Sequence, residues 1–322
     1  MAPTMSNAQT HETLDSLQLA PGRPTVVTIG TFDGVHRGHR LLLDKAIARA
    51  RSLGGVAIAL TFRNHPREVL NPGTTVSLLT PWPEKRRLLA ASGIDVVLGL
   101  EFNHQFAAQS AEDFVDRVLL DRLQAAVVIS GPNFRFGRGA AGDPALLQRL
   151  SESLDFEYWC ATAVEEHGHT VSSSRIRQAL SSGEVTTAAH MLGRWHRTTG
   201  RVVTGDQLGR KIGFPTANLE IPASVLVPAH GVYAVVVELA TGARHPGMMN
   251  IGRRPTVGGI DERREVHLIG FSGELVGEEL AVDFVSRLRE EKRFASLDDL
   301  CAQLTNDRIA ALEIVRSHAG PL

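Results

Sequence analysis

The stretch Thr25-Val-Val-Thr-Ile-Gly-Thr-Phe-Asp-Gly-Val-His-Arg-Gly-His39 decides the fold of the first half of the chain. Its β-branched start predicts a buried strand over Thr25–Ile29, and a helix is predicted from about Gly38 to Ser52. A glycine-rich turn therefore joins a strand directly to a helix. This order opens a βα unit, in which ligands bind at the carboxyl end of the strand.

The same alternation continues along the chain. Further strands are predicted at 56–62, 95–100, 126–130 and 157–162, and further helices at 82–92, 110–123 and 143–153. Thr80 is expected to cap the helix at 82–92, with Pro81 in its first turn. Strands and helices that alternate at this spacing predict parallel crossovers, so we expect an α/β domain with a doubly wound sheet.

The pattern changes near residue 190. After helices at 172–180 and 185–192, strand-like runs at 200–204, 232–239, 247–251, 265–271 and 280–288 are separated by Gly, Pro and Asn turns. Short strands at such intervals predict an antiparallel barrel or sandwich. A final amphipathic helix at 297–316 brings five apolar residues near one face: Leu297, Leu300, Leu304, Leu312 and Val315. We therefore expect a disordered leader at 1–22, an α/β domain at 23–190 and a β domain at 191–322.

Composition excludes several classes of protein. With 322 residues, 43% of them hydrophobic and 21% charged, the chain is neither disordered nor fibrous, and its length suggests two domains. Because 34 Lys and Arg face 35 Asp and Glu, no nucleic-acid partner is expected and phosphate binding must be local. The absence of a secretory signal and of a long apolar run predicts a cytoplasmic protein without a membrane partner. Cys160 and Cys301 fit neither a disulfide framework nor a zinc site.

Two imidazoles follow the first strand. His36 and His39 lie where the helix is predicted to begin, and Gly30 and Gly34 let the backbone approach a phosphate. Both rings can stabilise negative charge that develops on a phosphoryl group. A metal site or a pair of structural turn residues are the alternatives, but Gly38 intervenes and no third ligand is close in sequence. We therefore expect nucleotide chemistry at this turn.

The segment from Gly30 to His39 resembles the HxGH motif of nucleotidyltransferases, and its Gly-Thr-Phe-Asp-Gly start is similar to the prokaryotic bifunctional riboflavin kinase/FAD synthetase family. Gly131-Pro-Asn-Phe-Arg-Phe-Gly137 and Ser172-Ser-Ser-Arg-Ile-Arg177 strengthen the resemblance. It implies a Rossmann-like nucleotidyltransferase domain that joins the AMP part of ATP to FMN and releases pyrophosphate. The first domain is then an FMN adenylyltransferase.

Site residues of this domain are expected at the motifs. Charge stabilisation and phosphate positioning are expected of four residues: His36, His39, Arg175 and Arg177. Nucleotide binding is expected of Gly30, Thr31, Phe32, Asp33, Gly34, Asn133, Arg135, Ser172, Ser173 and Ser174. Flavin binding is expected of Phe62, His65, Pro66 and Phe134. Core packing is an equal alternative for Phe134 and Phe136.

Two positions of this domain depart from the family pattern. Asn64, in Phe62-Arg-Asn-His-Pro66, stands where the family has proline, and we expect it to loosen the loop that lines the flavin pocket. Ser174 replaces a threonine and keeps the hydroxyl. The segment Glu165-Glu-His-Gly-His169 suggests a metal site at first glance, but a polar hairpin is the better interpretation.

A second constellation opens the β domain. Gly205-Asp-Gln-Leu-Gly-Arg-Lys-Ile-Gly-Phe-Pro-Thr-Ala-Asn218 lacks the order of a P-loop. Its glycines can wrap phosphates as a flap, together with the charges of Arg210 and Lys211. Thr216 and Asn218 alternate, so on an extended segment they share a face and can hold Mg²⁺ with nucleotide oxygens.

This string resembles the GxxxGFPTANL signature of riboflavin kinases, and His230-Gly-Val-Tyr233, Asn250-Ile-Gly-Arg-Arg-Pro-Thr256 and Glu265-Val-His267 follow in the family's order. The resemblance implies a closed six-stranded barrel that transfers the γ-phosphoryl group of ATP to the 5′-hydroxyl of riboflavin. It makes Glu265 the general base. It assigns nucleotide contacts to Gly209, Arg210, Lys211 and Gly213. Arg289 and Phe294, beyond the last strand, are expected to close over flavin or nucleotide.

The leading hypothesis is a bifunctional enzyme that makes FMN from riboflavin and FAD from FMN, with ATP and Mg²⁺ at two sites. Its expected partners are the small molecules riboflavin, FMN and ATP, and an oligomer is compatible with the sequence. Two alternatives stay open. Gly270 and Val276 replace the family's aspartate and tyrosine, which favours an adenylyltransferase with a weakened kinase domain. A flavin-binding or nucleotide-binding regulator without turnover is the other.

Overall fold

The computed structural model describes residues 8–166, 168–205, 209, 212–256 and 259–319. The chain divides into two compact units, Met1–Ser173 and Ser174–Leu322. The first is built on a parallel sheet and the second on a closed antiparallel barrel, so the predicted fold class is confirmed. The functional boundary predicted near residue 190 stays a prediction.

A six-stranded parallel sheet forms the first unit, in the order β1-β4-β3-β2-β5-β6. Its strands are β1 (Gln9–His11), β2 (Thr25–Ile29), β3 (Val56–Phe62), β4 (Val96–Leu100), β5 (Ala125–Ser130) and β6 (Glu157–Cys160). β2 and β4 are buried at every residue, as expected of parallel strands covered on both faces. The strand order reverses between β2 and β5, which is where ligands bind in open α/β sheets.

The helices of this unit are α1 (Arg37–Ser52), α2 (Pro66–Leu70), α3 (Trp82–Ala90), α4 (His104–Ala107), α5 (Ala111–Asp113) and α6 (Pro144–Ser153). α5 continues as a π-helix over Phe114–Arg122, and a 3₁₀ turn spans Arg138–Ala140. One stripe of α1 is buried against the sheet: Leu42, Leu43, Ala46, Ile47 and Ala50. The polar hairpin is confirmed by the pairing of β7 (Glu165–Glu166) with β8 (His169–Thr170).

Part of the predicted leader is ordered. β1 lies at the edge of the sheet and pairs in parallel with β4. Three residues that follow it, Leu14, Leu17 and Leu19, pack against the apolar core. The prediction of disorder over 1–22 is therefore wrong for residues 8–22, because a three-residue edge strand is too short to show a period in the sequence.

Six strands of the second unit close into a barrel in the order β10-β13-β12-β11-β14-β9. They are β9 (His196–Val203), β10 (Ala217–Glu220), β11 (Gly231–Glu238), β12 (Arg244–Thr256), β13 (Gly259–Leu268) and β14 (Glu279–Arg289). Pairing of β9 with β10 completes the ring. The sequence runs predict five of these strands and miss β10, whose four residues include only two buried positions.

Among the residues that the structure describes, the barrel is accompanied by α7 (Ser173–Ser181), which begins at the division, α8 (Val185–Leu192) and α9 (Leu297–Ala319). On α9, Val315 is fully buried and joins Val236 and Val285 in one apolar cluster. The expectation that Leu297 belongs to the packed face is wrong, since it is 59% exposed. Leu297 lies in the first turn, and the partly buried positions of α9 begin at Leu300.

Candidate active sites

The segment that leads from β2 into α1, residues 30–39 and called the histidine loop below, carries the two predicted histidines. His36 is the N-cap of α1, and its Nδ1 accepts the backbone N–H of His39 at 3.3 Å. The two rings stack with centroids 3.6 Å apart and planes inclined by 15°. Gly38 permits this stacking, because a Cβ at that position would lie 3.1 Å from the His36 ring. Since helix N-termini offer unpaired N–H groups and partial positive charge, the pair lies where an anion is stabilised.

Asp33 supports this loop from inside the unit. Its buried carboxylate accepts the backbone N–H groups of Leu79 and Thr80, the latter at 2.9 Å, and the hydroxyl of Thr80 at 3.3 Å. The Thr80 hydroxyl in turn accepts the N–H of Gly34 at 2.9 Å. The prediction that Thr80 caps α3 is wrong, because Pro81 is the N-cap and Thr80 bonds the loop instead.

The backbone of the loop is strained. Phe32 and Val35 have φ angles of 48° and 39°, in the left-handed region that such residues rarely adopt. Strain of this kind persists where the surrounding contacts determine the conformation. Phe32 is fully buried and meets the His39 ring edge-on at 5.1 Å. Because the side chains of Phe32 and Asp33 are used within the fold, nucleotide contacts by these two residues would come from backbone atoms.

Lys85 supports the same loop and was missed by the sequence reasoning. Its Nζ donates to the carbonyl oxygens of Thr31 at 3.0 Å and Phe62 at 2.7 Å, so it joins the ends of β2 and β3. Burial lowers the pKa of Lys85 to about 8, and the nearby Asp33 opposes that shift. A lysine on a helix is usually exposed, so no sequence pattern indicates this role.

The serine motif, residues 172–177, contacts the histidine loop through its second residue. Ser173 donates its hydroxyl to the backbone carbonyl of Asp33 at 2.8 Å. Ser172 is half-buried and Ser174 is exposed. Arg175 and Arg177 follow on α7, in the second unit. The predicted phosphate contacts of this motif stay predictions.

The loop after β5 lies beside the histidine loop because β5 pairs with β2. It carries Asn133 and Arg135, both exposed, and Arg135 lies 3.6 Å from the carboxylate of Asp143. Phe134 is half-buried and stacks on the buried Phe136 with centroids 5.4 Å apart. Both rings therefore pack in the core, and flavin contact by Phe134 stays a prediction.

A hydrogen-bonded aromatic cluster follows β3. Phe102 and Phe106 meet the Phe62 ring edge-on at 5.0 and 5.4 Å. Asn64 accepts the N–H of Phe102 at 2.8 Å and donates to its carbonyl at 2.7 Å. The expectation that Asn64 loosens this loop is therefore wrong, because its carboxamide bonds both backbone groups of Phe102.

His65 and Pro66 begin the short helix α2. His65 is the N-cap, and its Nδ1 accepts the N–H of Arg67 at 3.2 Å. Pro66 takes the first helical position, where its missing N–H costs nothing. The predicted flavin contacts of both residues stay predictions.

A cavity of about 700 Å³ in the second unit contains the second predicted site. Thr216, Asn218 and Glu265 all line it. The strand register sets Asn218 of β10 opposite Glu265 of β13, and Glu265 opposite Asn250 of β12. A carboxylate therefore lies between two amides on neighbouring strands, with the Thr216 hydroxyl close by in the chain. The predicted metal ligands and the predicted base share one cavity.

Two further residues of β13 line the cavity on either side of Glu265. An Arg263 Nη lies 3.2 Å from Glu265 Oε1, and His267 Nδ1 lies 2.7 Å from the carbonyl oxygen of Pro215. Burial lowers the pKa of His267; the bond to Pro215 opposes the shift and Arg308 adds to it. The alternation of 263, 265 and 267 on one strand face is a signal that could have found them.

Arg289 and Phe294 also line this cavity. Arg289 makes a two-point ion pair with the buried Asp307 of α9, at 2.9 Å from Nε and 2.8 Å from Nη2. Its guanidinium lies 5.7 Å from the centre of the Phe294 ring. Arg289 thus anchors α9 to the barrel, and its contact with flavin stays a prediction.

The predicted flap is described only in part. Gly209 lines the cavity and Gly213 is exposed. Arg210 and Lys211 lie outside the described residues.

Comparison with known proteins assigns a family to each half of the chain. The FAD synthetase family matches residues 20–175, and the riboflavin kinase family matches residues 192–315. A bifunctional riboflavin kinase/FMN adenylyltransferase of Escherichia coli K12 is 40% identical over 301 residues, covering 93% of this chain and 96% of that protein. The chain belongs to this bifunctional family. The resemblance inferred from the motifs is therefore confirmed.

A second relative and a solved structure match over a similar extent. A bifunctional riboflavin kinase/FMN adenylyltransferase of Bacillus subtilis is 34% identical, covering 89% of this chain and 92% of that protein. A crystal structure described as a macrolide-efflux protein of Streptococcus pneumoniae matches with a TM-score of 0.86 and 30% identity, over 95% of this chain and 99% of that one. In the part of this chain that the structure describes, no helix is long and apolar enough to span a membrane.

The two departures from the riboflavin kinase pattern lie outside the residues that line the cavity. Gly270 is exposed and has φ of 75°, a conformation that suits glycine. Val276 is 51% exposed. The described cavity therefore gives no support to a kinase weakened at these positions.

Proposed function

We propose that this bifunctional chain phosphorylates riboflavin to FMN in its second unit and adenylylates FMN to FAD in its first. The observation that carries the proposal is the cavity of the barrel, in which Thr216, Asn218 and Glu265 come together. The stacked histidines at the start of α1 support the adenylylation. Membership of the family supports both reactions.

In the first unit a phosphate oxygen of FMN attacks the α-phosphorus of ATP. The bond between that phosphorus and the bridging oxygen breaks, and pyrophosphate leaves with the electron pair. Negative charge that develops on the transferring group is stabilised by His36 and His39. Backbone groups of the loop at 30–34 orient the nucleotide. No side chain forms a covalent bond with the substrate.

In the second unit Glu265 accepts the proton of the riboflavin 5′-hydroxyl. The hydroxyl oxygen attacks the γ-phosphorus of ATP, the bond to the bridging oxygen breaks, and ADP leaves. A general base of this kind contributes about 10²–10⁴ in rate. Arg263, at 3.2 Å from Glu265, orients the carboxylate. Arg289 and Phe294 close over the flavin.

The hydroxyl of Thr216 and the side-chain oxygen of Asn218 fit Mg²⁺, which prefers hard oxygen ligands and keeps several waters. When bound, this ion neutralises charge on the β- and γ-phosphates. The chain's own part is to hold the two oxygens beside Glu265. A cytoplasmic location is part of the same proposal, because both reactions consume ATP.

The test uses purified protein with Mg-ATP and either riboflavin or FMN, with products separated by chromatography. His36→Ala is expected to abolish FAD formation and spare FMN formation, while Glu265→Ala does the reverse. Glu274→Ala, which changes an exposed glutamate after β13, is the matched control and leaves both activities unchanged. No FMN from the unaltered protein, alongside FAD from added FMN, would reject bifunctionality. Bound flavin without any product would favour the regulator.

A further inference from the structure

The segment that enters β10 lies beyond the hydrogen-bonded ladder of the barrel. Pairing of β10 with β13 begins at Ala217, opposite Val266, and pairing of β10 with β9 begins at Asn218. Thr216 lines the cavity with Asn218. Among the described residues, however, no strand pairing reaches Thr216. The strand pairing that fixes Asn218 therefore does not fix Thr216.

His267 connects the barrel to this segment. Its Nδ1 lies 2.7 Å from the carbonyl oxygen of Pro215. Because a carbonyl oxygen only accepts, Nδ1 carries the hydrogen of this bond. The Pro215 carbonyl belongs to the planar peptide group that includes the nitrogen and the Cα of Thr216. The bond therefore restrains the backbone of Thr216 directly.

The two groups joined by this bond are both rigid. His267 is only 8% exposed, and the buried Phe214 meets its ring edge-on, with centroids 5.5 Å apart and planes inclined by 62°. Arg308 covers the Phe214 ring at 5.4 Å. On the other side of the bond, the ring of Pro215 fixes its own φ. A packed imidazole and a proline give the next residue a defined position.

We propose that His267 is a positioning residue that fixes Thr216 for binding of a magnesium–nucleotide complex, acting through the carbonyl of Pro215. The proposal rests on the proposed kinase function of this cavity. It concerns the geometry of the Thr216 hydroxyl relative to Asn218 and Glu265, and His267 transfers no proton.

Two substitutions separate the hydrogen bond from the packing. His267→Asn places an amide nitrogen near the position of Nδ1 and keeps a donor for Pro215, whereas His267→Leu fills the space without a donor. His267→Leu is expected to raise the KM for Mg-ATP in riboflavin phosphorylation about tenfold, the effect of one ordinary hydrogen bond. The kcat changes less, FAD formation from FMN is unchanged, and His267→Asn restores a KM near that of the unaltered protein.

Binding gives a second measurement that does not depend on turnover. Calorimetric titration with Mg-ADP is expected to show two classes of site. In His267→Leu the affinity of one class falls about tenfold, because the same single hydrogen bond is lost, and the affinity of the other class is unchanged. Thr216→Val is expected to weaken that class too, and adding His267→Leu to Thr216→Val has little further effect, because both act on one ligand.

Additive effects in the double variant would overturn the proposal, as would a His267→Asn variant as damaged as His267→Leu. If His267→Leu fails to fold, His267→Gln replaces it, since its amide nitrogen mimics Nε2 and not Nδ1. Failure of the proposed function itself is seen earlier and separately, as an unaltered protein that forms no FMN from riboflavin.

Discussion

Substitution of Asp33 by asparagine tests whether this residue builds the histidine loop or binds the nucleotide. Its carboxylate is 2% exposed and accepts hydrogen bonds from the N–H of Leu79 and from the N–H and hydroxyl of Thr80. Asparagine keeps one acceptor oxygen and turns an NH₂ group toward the remaining donors. Hydrogen bonds to a charged group contribute about 1.5–3 kcal/mol each, so we expect a loss of about 3 kcal/mol.

The expected loss is large enough to measure in the full chain. For a unit of this size, 3 kcal/mol lowers the melting temperature by about 6–12 °C. Scanning calorimetry of Asp33→Asn should show this shift in the transition of the first unit. FAD formation from FMN falls because the loop that carries His36 loses its support, and riboflavin phosphorylation is unchanged. Asp116→Asn, at an exposed position in the same unit, is the matched control and changes neither quantity.

A nucleotide-binding side chain at position 33 gives a different result. The KM for ATP in FAD formation would then rise while the melting temperature stayed within about 1 °C of the unaltered protein, as is usual when no buried interaction is lost. That combination would refute the structural role assigned to Asp33. A loss of riboflavin phosphorylation in the same variant would contradict separate sites.

Two further predictions concern the first unit. Asn64→Ala removes both hydrogen bonds to Phe102, so we expect a higher KM for FMN in FAD formation, with riboflavin phosphorylation as the internal control; an unchanged KM would contradict a role in shaping this loop. Lys85 has a pKa of about 8 in the folded chain against a usual 10.5, so the unfolded state binds more protons between these values and stability rises with pH across them. The charged form therefore costs up to about 3 kcal/mol below pH 8. Denaturant unfolding at pH 8 and 10.5 should show this gain in the unaltered protein and not in Lys85→Met, and equal slopes in the two proteins would contradict it.

Sequence patterns identify the strands and helices that are long enough to show a regular pattern of apolar residues. They predict β2, β3 and β11, and they miss β1 and β10, which have three and four residues. Such short strands owe their conformation to the neighbour with which they pair. β1 is fixed by β4, and β10 by β9 and β13. A strand of three or four residues contains no periodic pattern of apolar residues that indicates its pairing partner.

The motifs predict the residues that carry the chemistry better than they predict the residues that hold those residues in position. Thr216, Asn218 and Glu265 are found as residue types in a known order, and all three line one cavity. The sequence does not indicate that Lys85 and His267 bond to backbone carbonyls, because the partners Thr31 and Pro215 lie 54 and 52 residues away in the chain. A sequence pattern states which groups are present, but it does not state which backbone oxygen a buried side chain will reach.

The two candidate sites are supported by hydrogen bonds of opposite direction. A side chain accepts from the backbone in the first unit and donates to it in the second. In each unit part of the predicted site, His36 in the first and Thr216 in the second, lies just outside a strand, where ladder hydrogen bonds do not fix the backbone. Positioning of reacting groups tolerates only small displacements. In the first unit the carboxylate of Asp33 accepts the backbone N–H groups of Leu79 and Thr80. In the second unit the imidazole of His267 donates to a carbonyl. A buried polar group without its partner costs more free energy than the hydrogen bond itself contributes, so each support favours one position of its loop. Variants of Asp33 and His267 should therefore change the geometry of the bound substrate while the chain still folds.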